Sequence, residues 1–106
     1  MERLSDENFR EKVEGSKGIM LVDFYADWCG ACKGVPRVLE KIERKYPQVK
    51  IGMLDTVENK ETSRIYWIMS LPTLVFFQDG VEVKRKMGVL EKEEIEEVLE
   101  KELKMY

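Results

Sequence analysis

The chain has 106 residues, of which 43% are hydrophobic and 37% are charged, with a net charge of −3 and no histidine. This length predicts one domain, residues 1–106, around a single core, and the acidic balance argues against a nucleic-acid partner or an anionic membrane surface, since both bind basic faces. The absence of histidine excludes Ser-His-Asp and Cys-His catalysis and removes the commonest metal ligand.

The first half of the chain contains signals for two helices and two strands. Ser5, followed by acidic residues, predicts the N-cap of a first helix. The apolar run over residues 18–25 predicts a buried strand, and residues 49–54 predict a second one. Between them, apolar residues at helical spacing after Cys32 predict a helix that Pro47 ends.

The second half of the chain predicts two further strands and two further helices. Asn59 predicts the cap of a short helix. Residues 73–77 are β-branched and aromatic, which indicates a strand, and Asp79 with Gly80 predicts a tight hairpin turn into another strand. The last segment predicts an amphipathic helix with an apolar face formed by Ile95, Val98, Leu99 and Leu103.

The order of these elements predicts an α/β fold. The first two strands each continue into a helix, so we expect them to be parallel, with right-handed crossovers. The hairpin adds an antiparallel strand, which makes a mixed central β-sheet flanked by helices on both faces. Because the apolar runs are too short to span a bilayer and the N-terminus lacks the apolar segment of a signal peptide, we expect a cytoplasmic protein with no membrane partner.

Cys29 and Cys32 are the only cysteines, and they lie where the first predicted strand meets the following helix. A zinc site needs about four ligands, so carboxylates or a second chain would have to complete it. A purely structural disulfide would close a very short loop and stabilise the fold little. A redox pair explains the spacing better, because the two sulfurs can form and break a bond without moving the backbone.

The position of each cysteine predicts its role. Cys29 falls at a helix N-terminus, where free N–H groups and the positive end of the helix dipole favour a thiolate. Cys32 lies about one turn further along and is expected to be more shielded. We therefore predict that Cys29 attacks a substrate and that Cys32 resolves the intermediate.

Four motifs, in order, resemble those of the thioredoxin family, and the resemblance extends from residue 19 to the C-terminus. The sequence Trp-Cys-Gly-Ala-Cys-Lys at residues 28–33 resembles the family's Trp-Cys-Gly-Pro-Cys-Lys. The other three are the strand at residues 21–26 with its acid, the Ser-Leu-Pro-Thr at residues 70–73, and Gly88. The site residues that the resemblance implies are Asp23, Trp28, Cys29, Gly30, Ala31, Cys32, Lys33, Leu71, Pro72, Met87 and Gly88.

The resemblance implies a thioredoxin fold that catalyses dithiol–disulfide exchange without a bound cofactor or metal. Residues 1–4 leave room for only a stub of the family's N-terminal edge strand. The implied partners are a thioredoxin reductase and disulfide-containing proteins, and we expect a monomer. Asp23 is expected to have its pKa raised by desolvation and to accept the proton of Cys32.

The resemblance also implies a docking surface around Cys29. Pro72 is expected to follow a cis peptide bond, as the family's proline in this motif does, and the backbone of Leu71 is expected to pair with an extended substrate. Trp28, Leu71 and Met87 would form the apolar part of this surface, with Gly88 beside it.

Several residues depart from the family pattern. Ala31 replaces a proline, and its extra N–H is predicted to reach the Cys29 sulfur. Pro36 lies one position early, which is predicted to leave the carbonyl of Cys32 without a partner. Trp67 occupies a place where the family often has a helix-ending glycine, and Met53 a place where many members have a lysine beside the acid.

Three alternative functions remain open at this point. The fold could work in the opposite direction as an exported oxidase or isomerase, although the dipeptide between the cysteines and the N-terminus are not typical of those proteins. A glutaredoxin-like role linked to glutathione is a second alternative, and Trp28 and Gly30 argue against it. The third is a binding module that uses the same surface without turnover.

Overall fold

A computed structural model describes residues 1–104, so the last two positions of the predicted domain, 105 and 106, lie outside the described residues. Its centre is a five-stranded mixed sheet with the strand order β1-β3-β2-β4-β5. The predicted stub at the N-terminus forms the short edge strand β1. The strands are β1 (Glu2–Leu4), β2 (Ile19–Tyr25), β3 (Lys50–Asp55), β4 (Thr73–Gln78) and β5 (Val81–Met87).

Helices connect these strands and cover both faces of the sheet. They are a π-helical turn (Arg10–Glu14), a 3₁₀ segment (Gly30–Gly34), and the helices α1 (Val35–Lys45), α2 (Lys60–Ile65) and α3 (Lys92–Glu97), the last continuing as a second π-helical turn (Val98–Glu102). None of these helices, over residues 1–104, is long and apolar enough to cross a membrane.

The strand pairing confirms the predicted topology. β3 is parallel to both β1 and β2, whereas β4 is antiparallel to β2 and to β5. The hairpin between β4 and β5 turns at Asp79 and Gly80, whose φ angles of 51° and 85° are both positive, as a tight two-residue turn requires. A Cβ atom on Gly80 would lie 2.1 Å from the carbonyl oxygen of Glu14, so this turn excludes a side chain.

Alternate residues of β2 face two separate cores, because successive side chains of a strand point to opposite sides. Ile19 and Leu21 pack with α1, α3 and the C-terminal turn, including the predicted apolar face of the last segment. Met20, Val22 and Phe24 pack on the other side with apolar residues of the N-terminal helical turn. The active-site cysteines follow β2 directly, so the position of this strand determines theirs.

The cap of α2 differs from the sequence-based prediction. Asn59 stands at the N-cap, but its side chain does not cap the helix, since its Oδ1 accepts from the backbone N–H of Asp6 at 2.9 Å. Asp6 supplies the cap instead, and its Oδ1 accepts from the backbone N–H and the hydroxyl of Thr62 at 2.9 and 2.7 Å. Ser5 caps its own segment as predicted, with Oγ accepting from the backbone N–H of Asn8 at 3.2 Å.

Candidate active site

Cys29 and Cys32 form a disulfide where β2 gives way to the 3₁₀ segment, with their Cα atoms 5.4 Å apart. Cys29 is the N-cap residue, as predicted, and its Sγ accepts a hydrogen bond from the backbone N–H of Cys32 at 3.2 Å. The sulfur of Cys29 therefore takes the place that a capping oxygen usually has, next to the first free N–H groups of the helix. This environment favours negative charge on Cys29 once the disulfide is reduced.

Two expectations about the cysteine loop need correction or refinement. The N–H group that donates to Cys29 Sγ belongs to Cys32 and not to Ala31. Cys29 has the extended backbone of a cap residue, and the helical turn begins only at Gly30. The two cysteines are also almost equally buried in the disulfide form, with exposed fractions of 6% and 4%. Burial alone thus does not distinguish the attacking from the resolving cysteine.

The exposed part of the loop consists of residues around the disulfide rather than the sulfurs themselves. Trp28 is 74% exposed, and Gly30 and Ala31 are also exposed. Lys33 reaches back, and its Nζ donates to the carbonyl oxygen of Asp27 at 2.8 Å. This bond ties the residue after Cys32 to the residues before Trp28, which closes the loop around the sulfur pair.

The carbonyl of Cys32 has a partner, so the prediction that Pro36 leaves it unpaired was wrong. The N–H of Val35 donates to it, three residues on, in place of the α-helical bond that Pro36 has no N–H to make. The helix is therefore 3₁₀ from Gly30 to Gly34 and becomes α-helical only at Val35. The displaced proline changes the type of helix next to the active site without leaving a polar atom unpaired.

Asp23 is fully buried, and neither of its carboxyl oxygens has a hydrogen-bond partner among residues 1–104. On the neighbouring strands it stands between Met53 and Leu74. Neither neighbour carries a charge or a donor, so desolvation raises the pKa of Asp23 from 3.8 to about 7. The prediction of a raised pKa is confirmed, and Met53 lies beside the acid as expected.

The alternation of β2 places Asp23 under the helix that carries Cys32. Asp23 lies on the same face of β2 as Leu21, which packs against α1, and as Tyr25, which packs against the cluster that contains the two cysteines. The site thus includes Tyr25 and Ala26, which the sequence analysis did not select. Tyr25 could have been predicted from the sequence, because residues two apart on a strand lie on the same face and Tyr25 follows Asp23 by two.

The loop between α2 and β4 meets the disulfide from the other side. The Leu71–Pro72 peptide bond is cis, as the resemblance implied, and Leu71 packs against the buried cluster of Ala26, Cys29 and Cys32. The carbonyl oxygen of Pro72 accepts from the N–H of Gly88 at 2.8 Å. Gly88 has a φ of 88°, in the region that favours glycine. The fold therefore brings together residues that are separated by more than fifty positions in the sequence.

The predicted docking residues surround the sulfurs and are open to solvent. Trp28 and Met87 are exposed and Leu71 is half-buried. Leu71 makes no backbone hydrogen bond within the described part of the chain, so its N–H and C=O groups are free to pair with an extended segment. Their role in binding stays a prediction, which their exposure supports.

A cysteine that caps a helix is bonded here to a second cysteine in the first turn, and the preceding strand carries a buried acid that is unpaired among residues 1–104. Together these features define the site of a thiol–disulfide oxidoreductase. The pair can accept two electrons and two protons as it opens, and Asp23 titrates in the range where thiols exchange protons near neutral pH.

Comparison with known proteins gives the family. The thioredoxin family model matches residues 1–101. A thioredoxin of Staphylococcus aureus is 43% identical over 102 residues, which cover 95% of this chain and 96% of that protein. A thioredoxin of Buchnera aphidicola is 40% identical over 101 residues, 94% of each chain. The chain belongs to the thioredoxin family and is a dithiol–disulfide oxidoreductase, and this family acts on disulfide-containing proteins and is reduced by a thioredoxin reductase.

Proposed function

We propose that this protein is a general reductant of protein disulfides in the cytoplasm and acts as a monomer, with Cys29 as the nucleophile, Cys32 as the resolving thiol and Asp23 as the proton acceptor. The observation that carries the assignment of roles is the Cys29 sulfur at the helix N-cap, with the unpaired Asp23 carboxyl buried on the face of β2 that α1 covers.

The reaction starts from the dithiol form. The Cys29 thiolate attacks one sulfur of the target disulfide, a mixed disulfide forms, and the other target sulfur leaves as a thiolate and takes up a proton. The Cys32 thiol then passes its proton to the Asp23 carboxylate and attacks the Cys29 sulfur. The target leaves with both sulfurs reduced, and the protein is left with the disulfide between Cys29 and Cys32.

The Cys32 N–H assists this exchange because it donates to the Cys29 sulfur. This donor stabilises the Cys29 thiolate before it attacks the target, and in the resolving step the leaving group is the target's thiolate. Burial raises the pKa of Asp23 to about 7, so near neutral pH this carboxyl can accept and release the proton that the resolving step moves.

The target binds across the exposed surface around the sulfurs. Trp28 and Met87 offer apolar area, and the free backbone groups of Leu71 pair with an extended stretch of the target, as an added strand would. Pro72 is buried and Gly88 has no side chain, so neither adds a side chain to the exposed surface.

The reduction potential of the Cys29/Cys32 pair tests the direction of electron flow. We would equilibrate the protein in dithiothreitol and glutathione buffers and trap the free thiols. A value near about −270 mV supports a reductant, whereas one between about −180 and −120 mV would assign the protein to the isomerases and oxidants. A Cys29→Ser variant that kept its biological effect would favour a binding module without turnover.

A further inference from the structure

Arg85, on β5, joins that strand to the end of α2. Its Nε and Nη2 donate to the two carboxylate oxygens of Glu82 at 2.6 and 2.8 Å, a bidentate pair. Nη2 also donates to the carbonyl oxygen of Tyr66 at 2.8 Å, and Nη1 lies 3.4 Å from that of Trp67. The guanidinium is therefore oriented by Glu82 and directed at the last turn of α2.

α2 ends in a strained turn, and Arg85 bonds to the carbonyl groups of this turn. The N–H groups of Trp67 and Ile68 donate to the carbonyls of Arg64 and Ser63, at 3.1 and 2.9 Å, which is the bonding pattern of a Schellman motif. Trp67 holds the left-handed position of this motif with a φ of 53°, where glycine is usual. Its side chain is 75% exposed, so burial of the indole does not offset the strained backbone.

The strained turn begins the loop that reaches the active site. Residues 68–72 run from the turn to the cis proline, and Leu71 packs against the cluster that contains the two cysteines. The residue before this loop is bonded to Arg85 of β5, and its end is bonded to Gly88, directly after β5, whose N–H donates to the Pro72 carbonyl. β5 and the residue after it thus supply both attachment points of the segment that faces the substrate.

We propose that Arg85, oriented by Glu82, is a positioning residue for protein substrates. It holds the start of the loop 68–72 so that the free backbone of Leu71 stands ready to pair with the target. The inference rests on the proposed function, in which Leu71 pairs with an extended protein segment. A small disulfide needs only the Cys29 sulfur, so Arg85 is expected to matter for proteins and not for small disulfides.

The test compares Arg85→Gln with Lys84→Gln, a matched control on the same strand. Lys84 forms an ion pair with Glu102 at 3.3 Å, and its side chain makes no hydrogen bond or ion pair with α2. Each variant is reduced, freed of reductant and mixed with excess insulin or with the small disulfide DTNB, and oxidation of the cysteine pair is followed in a single turnover. Circular dichroism and thermal unfolding of each variant set an assay temperature at which all are folded.

We expect Arg85→Gln to raise the insulin concentration for half-maximal rate between about threefold and tenfold, with the limiting rate and the DTNB rate unchanged. Lys84→Gln is expected to match the wild type with both substrates. Equal losses with insulin and DTNB, or no loss with either, would overturn the inference. A wild type that reduces DTNB but not insulin would instead overturn the proposed function, and the inference with it.

A second variant separates positioning from general stability. Trp67→Gly relieves the left-handed strain, so the loop needs less help from Arg85. The insulin effect of Arg85→Gln is therefore expected to shrink at least about twofold in the Trp67→Gly background, a coupling that a double-mutant cycle measures. Strictly additive effects would show that Arg85 does not act through this turn.

Discussion

The two helices that border the active site are held in opposite ways. α1 has eleven residues, and the bonds at its start come from its own neighbourhood, with Cys29 as cap of the preceding 3₁₀ segment and Val35 bonded to Cys32. α2 has six residues and is held at both ends by distant ones, Asp6 at its start and Arg85 at its end. The longer helix is stabilised by the packing of its buried face, whereas the shorter one buries less and depends more on bonds from distant residues.

The comparison separates the chemistry of the site from its shape. The α1 side contains the reacting sulfurs and the buried acid, and its geometry follows from one continuous stretch of chain. The α2 side carries the loop that receives the substrate, and its geometry depends on contacts across the fold. Substitutions on the α1 side are therefore expected to change rates and the pH dependence of rate and of stability. Those on the α2 side are expected to change stability at every pH and the binding of substrate.

The largest expected effect is on the α1 side, from Asp23→Asn. In the unfolded chain this carboxyl ionises at its ordinary pKa of 3.8, but in the folded protein only at about 7. The folded state therefore binds the extra proton, and wild-type stability falls as the pH rises from about 4 to 7 and levels off above. The Asp23→Asn variant lacks this loss. Its free energy of unfolding should therefore exceed that of the wild type by about 3 to 4 kcal/mol at pH 8, and the two values should be nearly equal at pH 4.

Urea unfolding of both proteins across this pH range measures the effect. The chain has no histidine, so few other groups titrate in the upper part of the range. Asp27→Asn, an exposed acid in the same segment, is the control and should show no such pH-dependent gain. The Asn variant should also accumulate the mixed disulfide, because Cys32 loses its proton acceptor. A constant stability difference at every pH would contradict the account of Asp23.

The next effect tests the start of α2. Asp6→Ala removes the acceptor for the N–H and hydroxyl of Thr62, and we expect the free energy of unfolding to fall by about 2 kcal/mol. Asp6→Asn keeps one acceptor oxygen and should lose less, while Glu7→Ala, at an exposed neighbour, should lose almost nothing. Equal losses for Asp6→Ala and Glu7→Ala in urea unfolding would show that α2 does not depend on this cap.

The smallest effect is at the end of α2 and has the opposite sign. Trp67→Gly replaces an exposed side chain at a φ of 53° with the residue that this conformation favours. We expect the free energy of unfolding to rise by about 1 kcal/mol. Trp28→Gly is the matched control, since it removes an equally exposed indole without a positive φ, and it should not stabilise. A destabilised Trp67→Gly protein would mean that the indole makes contacts that outweigh the strain.

Much of the fold was predictable, because its signals are local. The apolar run of β2, the stripe of α1 and the Asp79-Gly80 turn each depend on a few adjacent residues, and the structure agrees with all three. The cap of α2 was predicted wrongly because the residue that forms it is distant in the sequence. Asn59 is a good capping residue by type, but a segment more than fifty positions away supplies the oxygen, and helix propensities do not contain that information.

By itself the sequence determined the reactive pair and its setting, since two cysteines at this spacing after a buried strand place one sulfur at a helix N-terminus whatever surrounds them. Only the tertiary structure decided how isolated Asp23 is and how the substrate loop is held. The isolation of Asp23 depends on its neighbours in β3 and β4, and the loop depends on Arg85 of β5 and on Gly88, directly after that strand. These contacts arise from strand register, and register is a property of the assembled sheet.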